Sequence, residues 1–363
     1  MGQLRLRHPV RIVFAAVAAA ASLGACGVNV TLPESVGAGT AQAVSVPALL
    51  PASAGGPANL VAAAAMVSKA VATVDLRGSA ETLIGSGLVI ATSGGYSYLV
   101  TNHHVVAGKG TIQILMPSGA HAQGSLLGSD PFDDLAVIRV RMTLPVARLA
   151  SSAQVRVGDP VIAIGSPYGE SGAVTAGVVS GLRLTLTGVS GPGGTEALPD
   201  VMQLDLGLNP GNSGGPVVNG QGLVIGLSTA SATAQKVGYA IPSDSVWRSA
   251  VALANGKTPE VAFLGVCSTP VSQILGEREV AGYGAVVDSV LPGSPAAQAG
   301  LRAGDVIESA GGVALNDGSS LNAVIESKSA GQRISVLGLR GSSTLALGVS
   351  LTQRPLAAAD CQA

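Results

Sequence analysis

The sequence predicts a mainly β fold of antiparallel barrels or sandwiches. Short apolar runs typical of β-strands recur from about residue 71 to residue 241, and glycine or proline separates nearly all of them. The 363 residues include 50 glycines and 20 prolines, whereas only 11% are charged. This composition disfavours a coiled coil or a long helical bundle. At roughly 150 residues per domain, the length indicates two or three domains.

Charge and hydropathy exclude several classes of protein. The formal net charge of −1 gives no electrostatic reason to expect a nucleic-acid partner. Mean hydropathy is high, at +0.48, but no apolar run after residue 30 approaches the roughly 20 residues that a membrane-spanning helix needs. The three cysteines and four histidines lack zinc-type spacing, and no phosphate-binding glycine loop occurs. We therefore expect no metal, no cofactor and no polytopic membrane protein.

The first 25 residues have the pattern of a secretion signal peptide. Three arginines precede an apolar stretch at residues 12–23, which has the length of a signal-peptide core. The stretch ends in Gly24-Ala25-Cys26, which resembles bacterial lipoprotein signals, in which the cysteine thiol receives a lipid. An ordinary cleaved signal and an uncleaved anchor that runs to Val28 are the alternatives. All three interpretations export the rest of the chain.

Composition changes mark the domain boundaries that follow. Residues 26–58 are small and polar, with four prolines and no aromatic residue, which predicts a flexible linker. A first domain at residues 59–256 contains the strand-like runs and ends in a helix, for which Ser243 is the predicted N-cap. A short linker at 257–261 leads to a second domain of strands and two short helices at residues 262–354.

A serine flanked by glycines is the first candidate for chemistry. In Gly211-Asn212-Ser213-Gly214-Gly215, the small residues allow a sharp turn that can bring two backbone N–H groups to one point, where an oxyanion binds. The stretch also fits the nucleophile elbow of α/β-hydrolases. In those enzymes the histidine follows the serine, whereas all four histidines of this chain precede Ser213. The order excludes the α/β-hydrolase fold.

The histidine and the aspartate that such a serine needs lie earlier in the chain. His103 and His104 follow an apolar strand, and Asp133 and Asp134 lead into another. The order histidine, aspartate, serine is that of the chymotrypsin fold. A subtilisin order would require an aspartate before the histidine, and Asp75 is the only one.

At these motifs the sequence resembles the HtrA/Deg family of serine proteases. The resemblance runs from about Asn59 to Leu351. It rests on six short motifs: Gly85-Ser-Gly87, Thr101-Asn-His-His-Val105, Asp134-Leu-Ala-Val137, Ala163-Ile-Gly-Ser-Pro167, Asn209-Pro-Gly-Asn-Ser-Gly-Gly-Pro216 and Gly238-Tyr-Ala-Ile-Pro242. The fold that it implies is a chymotrypsin-type double β-barrel followed by a PDZ domain, which is an α+β partly open barrel.

The resemblance also implies a catalytic triad. In the family the catalytic histidine directly precedes the valine, which selects His104 over His103, and the catalytic aspartate directly precedes Leu-Ala-Val, which selects Asp134. Ser213 is then the nucleophile, and the N–H groups of Gly211 and Ser213 form the oxyanion hole. The family usually has alanine where His103 stands.

The specificity pocket is predicted from the chymotrypsin-type arrangement. Its floor lies shortly before the nucleophile, at Gly207 and Leu208 in this chain, and its wall is predicted at Leu227, Ser228 and Thr229. No carboxylate lies at the floor. We therefore expect a medium-sized apolar side chain to fit, rather than lysine or arginine.

The second domain resembles a PDZ domain of the HtrA type. Phe263-Leu-Gly-Val266 corresponds to the carboxylate-binding loop, and Ala299-Gly-Leu-Arg-Ala-Gly-Asp-Val-Ile307 corresponds to the end of a short helix and the next strand. PDZ grooves bind a chain end as an added strand. The peptide-binding residues that the resemblance implies are Leu264, Gly265 and Val266 in the loop and Leu321, Val324 and Ile325 on the groove helix. The alternative is that the loop is a plain core strand.

Export makes two cysteines a candidate disulfide. If Cys26 carries a lipid, Cys267 and Cys361 form an even pair outside the cytoplasm. Their bond would close a loop of about 95 residues, which could contribute on the order of 4 kcal/mol in the chain-entropy model. It would also place the C-terminal tail near the peptide groove. The alternative is two buried free thiols.

The sequence therefore predicts an exported serine endopeptidase of the HtrA type that degrades unfolded or damaged cell-envelope proteins. Its partners would be unfolded or C-terminally exposed polypeptides and the membrane, through the N-terminal lipid. The alternative is a PDZ-mediated binding or chaperone protein whose protease domain is resting or inactive. HtrA proteins are commonly homotrimers joined by aromatic residues near the start of the protease domain. This chain has no aromatic residue between Phe14 and Tyr96. A homotrimer is therefore expected from the family resemblance alone, without support from these residues.

Overall fold

A computed structural model describes most of the chain after residue 42. The described residues are 43–52, 59–78, 82–169, 172–191, 194–232, 237–271, 284–315 and 321–355. The predicted signal peptide, Cys26 and Cys361 lie outside these ranges, so what the sequence indicates about them stays a prediction. Within the described ranges, no helix has the length and apolar character needed to cross a membrane.

Two closed barrels of antiparallel strands confirm the predicted double β-barrel. The first consists of β1 (Val71–Arg77), β2 (Thr82–Ser93), β3 (Tyr96–Thr101), β4 (Thr111–Leu115), β5 (His121–Asp130) and β6 (Leu135–Val140). The second consists of β7 (Pro160–Gly165), β8 (Ala173–Gly191), β9 (Gly194–Asp205), β10 (Pro216–Asn219), β11 (Val224–Ala232) and β12 (Val237–Pro242). Their cyclic orders, β1-β2-β3-β6-β5-β4 and β7-β8-β9-β12-β11-β10, are the same topology used twice. Buried aliphatic side chains fill both barrels, as the β-branched composition of the strands favours.

Within the described residues, three α-helices accompany the barrels. They are α1 (Leu60–Val67), α2 (His103–Val106) and α3 (Ser243–Ala254). The Asn59 side chain accepts the Ala62 N–H at 2.9 Å and so caps α1. Ser243 is not the N-cap of α3 that the sequence predicted, because Pro242 holds that position. The Ser243 hydroxyl instead donates to the carbonyl of Ala150.

The C-terminal domain has its own sheet and its own core. Its elements are β13 (Ala262–Phe263), β14 (Val266–Pro270), β15 (Ala285–Val290), α4 (Pro295–Ala299), β16 (Val306–Ala310), β17 (Val313–Ala314), α5 (Leu321–Glu326), β18 (Arg333–Arg340), β19 (Ser343–Ser350) and β20 (Thr352–Gln353). The main sheet has the order β14-β15-β16-β18-β19, with β17 paired to β16, and β13 pairs with β20. A separate cluster of buried aliphatic residues lies beneath this sheet.

Residues 43–52 pack on the protease domain, so the prediction of a flexible linker is wrong for this stretch. The Val44 N–H and carbonyl both bond the side chain of Asn255, at 2.8 Å and 3.1 Å. The Trp247 indole N–H donates to the Pro47 carbonyl at 2.9 Å. The segment also packs apolar side chains on the protease core, namely the buried Val46 and the partly buried Val44, Leu49 and Leu50. Composition missed this contact because these few apolar residues are scattered among small and polar ones.

Candidate active site

Three connections bring the predicted catalytic residues together. His104 lies on α2 directly after β3, and Asp134 lies in the turn between β5 and β6. Ser213 lies between β9 and β10 of the second barrel. The site is therefore assembled from both barrels, and neither barrel holds all three residues.

Asp134 binds His104 in two ways. The imidazole Nδ1 lies 3.0 Å from Oδ1 and 2.8 Å from Oδ2 of the carboxylate, and the His104 backbone N–H donates to Oδ1 at 3.0 Å. The side chain of Asp134 is 13% exposed and that of His104 34% exposed. A largely buried carboxylate thus fixes one edge of an imidazole that remains accessible, which suits a general base.

The backbone at Asp134 is held by the segment that carries the histidines. Asp134 has a φ of 50°, in the left-handed region that residues with a side chain seldom adopt. Its carbonyl accepts hydrogen bonds from the Asn102 side-chain amide at 2.9 Å and from the His103 N–H at 3.1 Å. His103 therefore contacts Asp134 through its backbone, whereas His104 contacts the carboxylate with its ring. This geometry supports the selection of His104.

Thr229 connects the two halves of the site, a role that the sequence analysis missed. Its hydroxyl donates to Asp134 Oδ2 at 2.6 Å, and its carbonyl accepts the Ser213 hydroxyl at 3.0 Å. In the described part of the chain, no hydrogen bond joins Ser213 to His104. The sequence placed Thr229 in the pocket wall. It gave no signal for a contact with Asp134 because the two residues are 95 positions apart.

The backbone before Ser213 forms a type II turn. The Asn212 N–H donates to the Asn209 carbonyl at 3.0 Å, and Gly211 has a φ of 101°. Proline at the second position, here Pro210, and glycine at the third are the residues that this turn prefers. Among the described residues, the N–H groups of Gly211 and Ser213 have no hydrogen-bond acceptor. Both are available to an oxyanion.

Ser86, from the Gly85-Ser-Gly87 motif, connects the loop of residues 209–215, called the serine loop below, to the first barrel. Its hydroxyl donates to the Gly211 carbonyl at 2.7 Å, and its N–H donates to the Ser213 carbonyl at 2.7 Å. Gly214 has a φ of 84°, and an added Cβ there would lie 2.1 Å from the Ser86 carbonyl oxygen. This close approach explains why glycine follows the serine.

The predicted pocket wall is wrong for two side chains. Leu227 and Ser228 have no exposed surface, so neither can line a space that a substrate side chain enters. β11 directs Leu227 into the hydrophobic core. The Ser228 hydroxyl is used within the serine loop, where it donates to the carbonyls of Asn212 at 2.7 Å and Gly215 at 2.9 Å.

The predicted pocket floor keeps an open side. Gly207 is half-buried, and an added Cβ there would meet no atom within 4 Å. Leu208 packs against Gly238 of β12, where an added Cβ would lie 2.9 Å from the leucine side chain. The floor is therefore apolar, and its role as a specificity pocket stays a prediction.

The predicted carboxylate-binding loop contains a tight turn that requires glycine. Gly265 has a φ of 82°, and an added Cβ would lie 2.2 Å from the side chain of Ser294. The Ser294 hydroxyl donates to the Gly265 carbonyl at 3.2 Å. Leu264 and Val266 on either side are buried.

The remaining predictions for the C-terminal domain are not tested by the described residues. Leu321, Val324 and Ile325 are buried in the core of this domain, so their contact with a peptide stays a prediction. Cys267 is disulfide-bonded. Because both other cysteines lie outside the described residues, its pairing with Cys361 also stays a prediction. No cluster of three or more metal-ligating side chains occurs in the described ranges.

Comparison with known proteins agrees with the fold. The model of the trypsin-like peptidase domain matches residues 85–227, and the model of the PDZ domain matches residues 262–351. The serine protease Do-like HtrA of Lactococcus lactis subsp. lactis is 34% identical over 290 residues, which are 74% of this chain and 70% of the relative. This chain belongs to the HtrA family of serine proteases.

Other members of the HtrA family extend the comparison. A DegP-like periplasmic serine endoprotease of Hahella chejuensis is 36% identical over 278 residues, which are 75% of this chain and 57% of the relative. The solved structure of the HtrA-type protease AlgW with a tripeptide is 32% identical, with a TM-score of 0.60, over 82% of this chain and 97% of that chain. The predicted family, the serine endopeptidase activity and the double barrel with a PDZ domain are confirmed.

Proposed function

We propose that His104, Asp134 and Ser213 form the catalytic triad of this HtrA-family endopeptidase. The observation that carries the assignment is the two-point contact between Asp134 and His104. Ser213 Oγ attacks the carbonyl carbon of the scissile peptide, and His104 accepts the hydroxyl proton and later donates it to the leaving amine. Asp134 fixes the imidazole and stabilises its charged form. The N–H groups of Gly211 and Ser213 stabilise the oxyanion.

The triad needs one small rearrangement before it can act. The Ser213 hydroxyl donates to the Thr229 carbonyl and must give up this hydrogen bond to donate to His104. This starting position also favours the second candidate, a PDZ-mediated binding or chaperone protein whose protease domain rests until a partner binds.

Cleavage of an unfolded protein distinguishes the two candidates. We expect the purified protein to degrade casein and the Ser213→Ala variant to leave it intact. If both proteins bind casein, neither cleaves it, and a C-terminal peptide in excess does not start cleavage, the binding protein is the better description.

Unfolded or damaged proteins of the cell envelope are the proposed substrates. The relative from Hahella chejuensis is named as periplasmic, and the AlgW structure contains a tripeptide. In this chain the predicted signal peptide supports export, and Leu264–Val266 would bind C-terminal or extended peptides.

The proposed lipid on Cys26 would hold the protease at the outer face of the membrane. Replacement of Cys26 with serine should then release the protein into the soluble fraction. Continued membrane association of this variant would instead indicate an uncleaved N-terminal anchor.

Cys361 is the proposed partner of the disulfide-bonded Cys267. β20 pairs with β13, so the described chain ends at residue 355 beside the start of the PDZ domain. Six further residues can span about 20 Å when extended. Mass spectrometry of a digest of exported protein should show the linked peptides only without reductant. Alkylation of both cysteines without reductant would refute the bond.

A further inference from the structure

A buried ionic cluster joins the PDZ domain to the loop that carries Asp134. Its members are the carboxylates of Asp130 and Asp133 from that loop and of Glu326 from α5, and the guanidinium groups of Arg248 from α3 and Arg354 after β20. The exposed fraction of these five side chains ranges from 4% to 23%. The PDZ domain thus contributes one cationic side chain, Arg354, and one acidic side chain, Glu326, to a cluster next to the proposed triad.

Arg354 contacts three of the four residues that precede Asp134. Its guanidinium donates to Asp133 Oδ1 at 3.3 Å and 3.4 Å and to Asp130 Oδ1 at 3.5 Å. It lies 4.5 Å from the centre of the Phe132 ring, a cation–π distance. It also donates to Glu326 Oε1 at 3.3 Å, which ties these contacts to the PDZ helix.

We infer that Arg354 is a positioning residue for the catalytic aspartate, supplied by the PDZ domain. The inference rests on the proposed triad. Asp133 is bonded covalently to Asp134, so a movement of Asp133 moves the carboxylate that holds His104. Asp134 also has a left-handed backbone, which persists only where neighbouring contacts determine it. Asn102 and His103 hold the carbonyl side of this residue, and Arg354 with Arg248 holds the preceding residue.

Charge balance explains why the loop depends on Arg354. Burial, together with the negative charge of Asp133, raises the pKa of Asp130 to about 6 and the pKa of Glu326 well above its usual value. Arg354 opposes this effect at both carboxyls, Arg248 opposes it at Glu326, and Asp200 adds to it at Glu326. Without Arg354, Arg248 alone would face three buried acids. The acids would then take up protons or draw in water, the ion pairs would be lost, and the loop would lose its fixed position.

Arg248 secures the other side of the same loop. It donates to Asp133 Oδ2 at 3.2 Å and to the Glu326 carbonyl at 3.3 Å. Because Arg248 belongs to the protease domain, the loop keeps one anchor when Arg354 is removed. We therefore expect a displaced Asp134 and a slower enzyme rather than an unfolded one.

Arg340 provides a matched control within the PDZ domain. It donates to both carboxylate oxygens of Asp305, which is buried, at 2.7 Å and 2.8 Å, and to the Gly300 carbonyl at 2.7 Å. Like Arg354, it is a PDZ arginine paired with a buried acid. None of these contacts reaches the loop before Asp134, so its loss should weaken the PDZ domain without displacing the catalytic aspartate.

A fluorophosphonate probe tests the inference on the full-length protein. Ser213 Oγ forms the bond to phosphorus and fluoride leaves, while His104 accepts the hydroxyl proton, so the maximal rate of inactivation, kinact, reports the state of the triad. Arg354→Ala should lower kinact about tenfold and change the inhibition constant KI less than about twofold, because geometry and not binding is impaired. Arg354→Lys keeps a charge but not the planar fork and should lie between Arg354→Ala and the wild type. Arg340→Ala should keep the kinact of the wild type.

Three results would overturn the inference. They are an unchanged kinact in both Arg354 variants, an equal loss of kinact in Arg354→Ala and Arg340→Ala, and a change confined to KI. Thermal unfolding of each variant checks that it is folded. If Arg354→Ala does not fold, the comparison of kinact is made with Arg354→Lys instead. If the probe labels Ser213→Ala, the triad itself is wrong. If it does not, while Arg354→Ala reacts like the wild type, only the positioning role fails.

Discussion

The two halves of the active site differ in how complete they are. In the half from the first barrel, Asp134 already binds His104 through the ring and through the backbone. In the half from the second barrel, the type II turn leaves two N–H groups available, but the Ser213 hydroxyl bonds Thr229 instead of His104. The proposed base, His104, is thus in place, whereas the proposed nucleophile, Ser213, is not yet bonded to it. A partner that activates the enzyme would therefore act mainly by changing the hydrogen bond of Ser213.

Loss of the His104 imidazole should have the largest effect, because it removes the proposed base from the half of the site that is already assembled. His104→Ala should reduce the initial rate of casein cleavage by about four orders of magnitude. His103→Ala should leave most of the activity, since the contact of His103 with Asp134 is made by its backbone. Equal losses in the two variants would show that the motif is aligned wrongly.

The serine half can be broken by adding a single methyl group. Gly214→Ala would force a Cβ against the Ser86 carbonyl, and the resulting shift of the serine loop should reduce casein cleavage about 100-fold. Gly119→Ala is the control, because Gly119 has a similar φ of 83° but no atom within 4 Å of an added Cβ. It should lower the free energy of unfolding by about 1–2 kcal/mol and keep the activity. Full activity in Gly214→Ala would contradict the close approach.

Loss of the Thr229 hydroxyl, which links the two halves, should reduce the rate of cleavage less than damage to either half does. Thr229→Val removes the hydroxyl that donates to Asp134 while keeping the shape of the side chain. A hydrogen bond to a charged group contributes about 1.5–3 kcal/mol, so the rate of cleavage should fall about tenfold or somewhat more. Thr229→Ser keeps the hydroxyl and should stay near the wild type. If Val and Ser behave alike, the hydroxyl does not support Asp134.

The smallest expected effect is the pH dependence of stability. It arises in the loop that carries Asp130 and Asp134. Burial raises the pKa of Asp130 from 3.8 to about 6. Between these values the folded protein binds the proton more tightly than the unfolded chain does, so the free energy of unfolding should rise as the pH falls from 7 to 5. Glu326, whose pKa burial also raises, contributes in the same direction.

Denaturant unfolding at several pH values measures this slope. Asp130 alone should account for a change of about 1 kcal/mol between pH 7 and pH 5. Asp130→Asn cannot titrate and should flatten the slope. A wild-type protein that loses stability between pH 7 and pH 5 would show that the cluster is ionised in another way.

Local motifs made the fold class predictable from the sequence and selected the residues of the proposed triad. The order of His104, Asp134 and Ser213 along the chain excludes the α/β-hydrolase fold. Gly214 and Gly215, directly after Ser213, lie where the backbone approaches other backbone atoms closely. Each motif itself lies within a few neighbouring residues, where the sequence is informative.

Contacts between distant parts of the chain could not be predicted in the same way. Arg354 meets Asp133 across 221 positions, and Thr229 meets Asp134 across 95. Leu227 and Ser228 were placed in the pocket wall because their position was inferred without the direction of their side chains. The packing of residues 43–52 leaves little trace in composition, because it combines backbone hydrogen bonds to Asn255 and Trp247 with a few scattered apolar side chains such as Val46.

The central claim is that Ser213 is the nucleophile and that His104 activates it. The most direct measurement is to locate the fluorophosphonate adduct by mass spectrometry of a protein digest. We expect the adduct on Ser213 in the wild type and in His103→Ala, and no adduct in His104→Ala. An adduct on a different residue, or labelling that survives in His104→Ala and is lost in His103→Ala, would contradict the account.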